Sequence, residues 1–172
     1  MKHKAWIGLG GNLGDVLCTM NQALDHLRDH ADICVDVKSS LYKTAPIGFA
    51  GQADFLNAVV RISTNLGAED LLGFMQTTET ALHRVRDDNQ FGPRSIDIDL
   101  LLFDDLVQVS DYLTLPHPRM HQRRFVLEPL FTLQPDMCIP GKGAVQDLLN
   151  QVQDQIVDAV EAWPDPENLQ SA

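Results

Sequence analysis

The chain has 172 residues, 44% hydrophobic and 22% charged, which suits one soluble domain with a sizeable core. Its formal net charge of −11 argues against nonspecific binding to nucleic acid or to anionic membranes, since both need a basic surface. No signal peptide or apolar run of membrane-spanning length is evident, and Cys18, Cys34 and Cys138 fit neither a zinc pattern nor a disulfide framework. A reducing, cytoplasmic location is expected, with each thiol buried as a small apolar side chain.

Taken in chain order, Ala5 to Leu9 reads as a short apolar strand ending in a glycine turn, Gly10 to Gly14. Asp15 opens a helix with Val16, Leu17, Met20, Ala23, Leu24 and Leu27 at helical spacing. Ile33 to Tyr42 is a second strand, Thr44 to Ala53 a loop with Pro46, Gly48 and Gly51, and Asp54 to Thr64 a third strand. Ala68 to His83 is a second helix, with Glu69 and Asp70 favourably placed in its first turn. A polar loop from Arg84 to Pro93 leads into a strand that continues to Phe103, and a minor hairpin follows (Val107, Val109, then Leu113, Leu115). Pro116 to Arg124 is irregular, Phe125 to Leu133 packs on the core, and Val145 to Val160 is a C-terminal helix. Residues 1–160 thus form one domain, and 161–172, with Trp163, Pro164 and Pro166, form a polar, frayed tail. The order β-α-β-β-α-β predicts an α+β, ferredoxin-like antiparallel sheet with helices on one face and C-terminal helical additions. The other face is then open to carry a site.

Phe91-Gly92-Pro93-Arg94-Ser95-Ile96-Asp97-Ile98-Asp99 is the segment richest in chemistry. From Ser95 it alternates at period two, which puts Asp97 and Asp99 side by side on the polar face of a strand. Two like charges there are tolerated when a cation sits between them, and Mg²⁺ is typically held by one or two carboxylates plus substrate phosphates. Arg94, entering from a rigid Gly-Pro turn, offers a fork for phosphate oxygens. A solvated strand face carrying a chance Asp-x-Asp accounts for the same residues.

Other motifs are less specific. Gly8 to Gly14 is a near miss for a dinucleotide fingerprint, because Leu13 stands where the third glycine belongs, and no Gly-Lys-Ser/Thr follows. Arg84 and Arg86 sit where a helix ends and a ten-residue loop begins; they complement the helix dipole or serve a triphosphate. His117, pinned between Pro116 and Pro118 in a basic run, reads as a phosphate donor; with His121 alone it makes a weak metal motif. Phe55 and Asn57 share a strand face, and with Phe125 they could form an aromatic slot with an amide for a flat heterocycle, or simply core.

The blocks Gly10–Asp15, Tyr42–Gly48, Phe55–Ala58, Phe91–Asp99 and Pro116–Met120 occur in order, and together the chain closely resembles the 6-hydroxymethyl-7,8-dihydropterin pyrophosphokinases of folate biosynthesis over about residues 5 to 150. The resemblance implies transfer of the β,γ-pyrophosphate of ATP to the pterin hydroxymethyl group with release of AMP. It implies that Asp97 and Asp99 hold two Mg²⁺ ions, and that Arg84 and Arg94 act on the phosphates with Arg86 on the same loop. Gln76, Glu79, Ile98, Thr114 and His117 line the ATP site by the same resemblance. Phe55 and Phe125 sandwich the pterin, while Asn57 and the backbone of Thr44 and Ile47 read its edge. Small-molecule substrates and a monomer are expected, with no nucleic-acid or membrane partner. Gly11 departs from the family, which usually has Ser there. A nucleotidyltransferase, which would release inorganic pyrophosphate, and a noncatalytic nucleotide-binding module are the rival readings.

Overall fold

The computed structural model describes residues 1–45, 53–82, 95–160 and 163. Strand β1 (His3–Gly11) leads to helix α1 (Val16–Asp29), then β2 (Ile33–Lys38), β3 (Leu41–Thr44), β4 (Phe55–Thr64), helix α2 (Ala68–Ala81) and β5 (Asp97–Phe103). All their pairings are antiparallel, and the sheet runs β3-β4-β1-β5 with β2 also on β4. This is the expected ferredoxin-like core.

Periodicity explains the packing. Ala5, Ile7 and Leu9 of β1, Ala58, Val60 and Ile62 of β4, and Ile96, Ile98 and Leu100 beside and within β5 turn one way. Met20, Ala23, Leu24 and Leu27 of α1 and Leu71 and Met75 of α2 cover them. Asp15 caps α1, its carboxylate accepting the Cys18 N–H at 3.0 Å. Trp6, Val59, Leu101 and Leu102 turn the other way. After β5 come the hairpin strands β6 (Gln108–Val109) and β7 (Thr114–Leu115), whose Leu115 joins the first core; helix α3 (Arg124–Leu133), strands β8 (Cys138–Ile139) and β9 (Gly143–Ala144), and helix α4 (Val145–Asn150) then cover this second face. The apolar side chains of α3 and α4 build a second core on the face opposite α1 and α2, leaving one end of that face for polar residues.

Several expectations change. The glycines at 10 and 11 belong to β1, not to a turn; the turn glycine is Gly14, at φ +72°. The single strand Ile33 to Tyr42 is two segments on the same edge of β4. Between them Ser39 is buried and stands in for the ladder: its Oγ accepts the Val59 N–H at 3.0 Å, and its own N–H donates to the Val59 carbonyl at 2.9 Å. The C-terminal helix stops at Asn150, and Asp158–Val160 form strand β10 on β3. Past that end, Arg124 Nη1 donates to the Gln153 and Gln155 carbonyls and so holds the segment after α4 in a non-helical path. β-Branched Ile156, Val157 and Val160 then favour an extended chain.

Trp163, expected in a frayed tail, is 5% exposed; its indole N–H donates to Asn21 Oδ1 at 2.7 Å, and Lys38 Nζ lies 5.2 Å from its ring centroid. All three cysteines are exposed, not buried. Cys18 and Cys34 fall on the outward phase of α1 and β2, where periodicity outweighs residue type.

Candidate active site

The antiparallel registers lay the polar residues out in rows. Asp97 of β5 faces Gly10 of β1, Gly10 faces Asn57 of β4, and Asn57 faces Tyr42 of β3. Directly opposed residues share a face, so this row crosses four strands on the side away from α1 and α2. Asp99 faces Gly8, one step along the same face. Two β1 glycines therefore form a floor without side chains between the carboxylates and Asn57, a gap of two strand spacings or about 10 Å. The floor is tight at Gly10, where a Cβ would lie 3.0 Å from Asn57 Oδ1 and press on that side chain. The glycines that nearly spell a dinucleotide fingerprint thus clear space on a sheet.

Asn57 is 7% exposed and its Nδ2 donates to Thr44 Oγ1 at 3.1 Å, while Thr44 faces Phe55 across the β3–β4 ladder. Phe55 and Phe125 are each half-buried. Nearby, Asn12 Nδ2 donates to the Ala53 carbonyl at 3.2 Å, tying the end of β1 to the start of β4.

On the other side of the carboxylates is a cavity of about 310 Å³. Leu72 and Gln76 of α2, Ile98 and Asp99 of β5, Thr114 of β7 and His117 just after it line it. That volume is at the lower end for a small-molecule site. His117 is anchored by its own N–H to the Leu101 carbonyl at 2.9 Å, next to a cis Leu115–Pro116 peptide. Burial, then the charges of Arg123 and Arg119, lower its pKa to about 4 against a smaller opposing pull from Asp97. The ring is therefore neutral near pH 7. Its Nδ1 accepts the Arg119 N–H at 3.2 Å, so the proton sits on Nε2, 3.9 Å from Asp99 Oδ2. At that distance a neutral ring makes neither a hydrogen bond nor an ion pair, and Nε2–H remains a donor for an incoming anion.

Arg123 is the residue that sequence reading left without a role. Its Nη1 lies 3.6 Å from Asp99 Oδ2 and its guanidinium carbon 5.6 Å from the Phe125 ring centroid, so it joins the carboxylates to the aromatic wall. The signal was the basic run from Arg119 to Arg124, too dense to single out one member. Glu79 is 3% exposed and is not among the residues lining the cavity; its Oε1 accepts the Ile98 N–H at 2.7 Å from behind β5. Ile47, Arg84, Arg86 and Arg94 lie outside the described residues.

Asp97 and Asp99 give a hard, oxygen-only donor pair, and among the described residues no group of three His, Cys, Asp or Glu could enclose a metal. Such a pair fits Mg²⁺, which keeps waters and takes its remaining ligands from phosphates.

The ferredoxin-like sheet thus carries adjacent carboxylates between the cavity and the Asn57 side of the glycine floor. The family model for 7,8-dihydro-6-hydroxymethylpterin-pyrophosphokinase matches residues 6–135. The chain is 43% identical over 130 residues to the 2-amino-4-hydroxy-6-hydroxymethyldihydropteridine pyrophosphokinase of Bacillus subtilis, covering 76% of this chain and 77% of that one. It is 40% identical over 159 residues to the enzyme of the same name from Methylorubrum extorquens, covering 92% and 99%. A crystal structure of Plasmodium falciparum HPPK-DHPS A437G superposes with a TM-score of 0.69 at 14% identity, over 87% of this chain and 45% of that longer one, and so supports the fold. The chain belongs to the 7,8-dihydro-6-hydroxymethylpterin-pyrophosphokinase family. It transfers pyrophosphate from ATP to the hydroxymethyl group of the dihydropterin in folate biosynthesis.

Proposed function

We propose that the transfer takes place over the Gly8–Gly10 floor, with ATP entering from the cavity beside Asp99 and the pterin from the Asn57 side. The carrying observation is the Asp97–Gly10–Asn57 row, which puts the carboxylates between the two entrances. The pterin hydroxyl oxygen attacks the β-phosphorus of ATP; the bond to the bridging α–β oxygen breaks, AMP leaves, and the hydroxyl proton is lost to solvent or base. Such a reaction needs positioning and charge neutralisation more than covalent catalysis.

In this reading Asp97 and Asp99 hold Mg²⁺, two ions by family resemblance, and the bound cation neutralises phosphate charge and makes the hydroxyl more acidic. His117 Nε2–H donates to a phosphate oxygen, and Gln76, Ile98 and Thr114 line the nucleotide. Phe55 and Phe125 enclose the pterin, and Asn57 with the backbone of Thr44 and Ile47 reads its edge by donor and acceptor pattern. Arg84, Arg86 and Arg94 act on the phosphates. Residues 1–160 are the pyrophosphokinase domain and 161–172 a tail pinned to it through Trp163, and the protein works as a cytoplasmic monomer. Among the described residues no helix is long and apolar enough to cross a membrane.

Product analysis with ATP, Mg²⁺ and the reduced pterin alcohol tests this proposal. AMP with the pterin pyrophosphate is expected. Inorganic pyrophosphate would mark attack at the α-phosphorus, and ATP binding without turnover would mark a noncatalytic module.

A further inference from the structure

Glu79 is a buried ionisable group, 3% exposed, and one of its bonds is to the backbone of β5. A carboxylate taken from water needs hydrogen bonds to compensate, and this one accepts the Ile98 N–H at 2.7 Å, the short end of the N–H···O range. Ile98 is the residue between Asp97 and Asp99. Among the described residues β5 ends the sheet and pairs with β1 alone, where Leu9 faces Ile98. The outward N–H of an edge strand has no ladder partner, and Glu79 on α2 supplies the acceptor that a further strand would have offered.

We infer that Glu79 is a positioning residue, which holds the Ile98 amide and thereby fixes the peptide units that aim Asp97 and Asp99 at a common divalent cation. The inference rests on the reading of those two carboxylates as cation ligands. Before the cation arrives, two like charges on one strand face repel each other, and a strand edge held on one side only would relax to separate them. A hydrogen bond accepted by a side chain of a packed helix resists that movement. What matters in this account is an acceptor at that point, not a direct contact of Glu79 with nucleotide.

The test uses the full chain and three readouts. Hydrogen exchange at the Ile98 amide, followed by NMR without cation or nucleotide, reports the bond itself. Mn²⁺ affinity by electron paramagnetic resonance, in the presence of a non-hydrolysable ATP analogue, reports the carboxylates. Binding of the pterin alone serves as the control for the rest of the site. Glu79→Gln keeps an acceptor oxygen and should keep Ile98 protected and Mn²⁺ affinity within about threefold of wild type. Glu79→Leu should expose Ile98 and weaken Mn²⁺ by about 10- to 100-fold, as loss of a residue supporting metal ligands does, while pterin binding holds. Normal Mn²⁺ affinity with an exposed Ile98 would overturn the inference, as would equal losses in Gln and Leu. Should the Leu variant not fold, the Gln variant decides alone, because a loss beyond tenfold there contradicts the role given to the acceptor. Wild-type Mn²⁺ affinity in Asp97→Asn and Asp99→Asn would instead locate the failure in the cation reading and remove the inference with it, while Ile98 protection still reports the bond.

Discussion

Truncating Trp163 tests whether the end of the chain is part of the fold. The residue is 5% exposed, packs with the core between the sheet and α1, and donates to Asn21. A tryptophan buries roughly 150–250 Å², which at about 25 cal/mol per Å² is about 4–6 kcal/mol. The unfolded chain already covers about 10–40% of that area, and freeing the backbone at this position returns about 1–2 kcal/mol of entropy. Trp163→Ala should therefore destabilise by about 2–3 kcal/mol, lowering the midpoint of thermal unfolding by about 4–12 °C in a chain of this size. Trp163→Phe keeps most of the area and loses the N–H, and should cost about 1 kcal/mol. Urea unfolding followed by circular dichroism measures both, and a cycle with Asn21→Ala isolates the hydrogen bond. An alanine variant within about 0.5 kcal/mol of wild type, the range of ordinary surface substitutions, would refute the reasoning and return Trp163 to a loose tail.

Asp97→Asn and Asp99→Asn should each abolish Mg²⁺-dependent AMP release while the protein stays folded; normal turnover in either removes the paired-carboxylate proposal. Phe125→Ala should weaken pterin binding by on the order of 1 kcal/mol beyond its lost area and ATP binding far less. Equal losses for both ligands by calorimetry would assign Phe125 to packing. At Asp104, burial acts to raise the carboxyl pKa, but the Lys4 N–H at 2.8 Å and the His3 ring at 2.7 Å outweigh it and hold the pKa below its ordinary value. A depressed carboxyl pKa contributes stability above the unfolded value of about 3.9, lost as pH falls through the folded value. Asp104→Asn, which tolerates the φ of +45°, should thus be less stable than wild type at pH 7, and the gap should close in acid; a gap unchanged across that range would deny the carboxylate its role.

The core helices, the strand at Asp97 and the choice of Asp97 and Asp99 as a pair were legible because each depends on local period. Apolar residues spaced by a helical turn define the buried face of α1, and alternation alone puts two carboxylates on one face of β5. Even so, period could not set the limits of elements whose backbone groups are claimed from far along the chain. Ser39 bonds to Val59 and splits a strand; Arg124 takes the carbonyls of Gln153 and Gln155 in the non-helical segment after α4. Both contacts join residues many positions apart, and no local window contains them.

By itself, the sequence determined the secondary-structure order, the residue types able to bind phosphate and cation, and a set of motifs specific enough to point to one family. The tertiary structure alone decided that β1 lies between β4 and β5, so that Gly10 separates Asn57 from Asp97. It also decided that Arg123 reaches Asp99 and Phe125 together, that Glu79 faces the backbone of β5, and that Trp163 returns to α1. The physical reason is common to all four. Periodicity records which face of an element is apolar, whereas strand order and register decide what that face meets, and they are set by the packing of the whole chain.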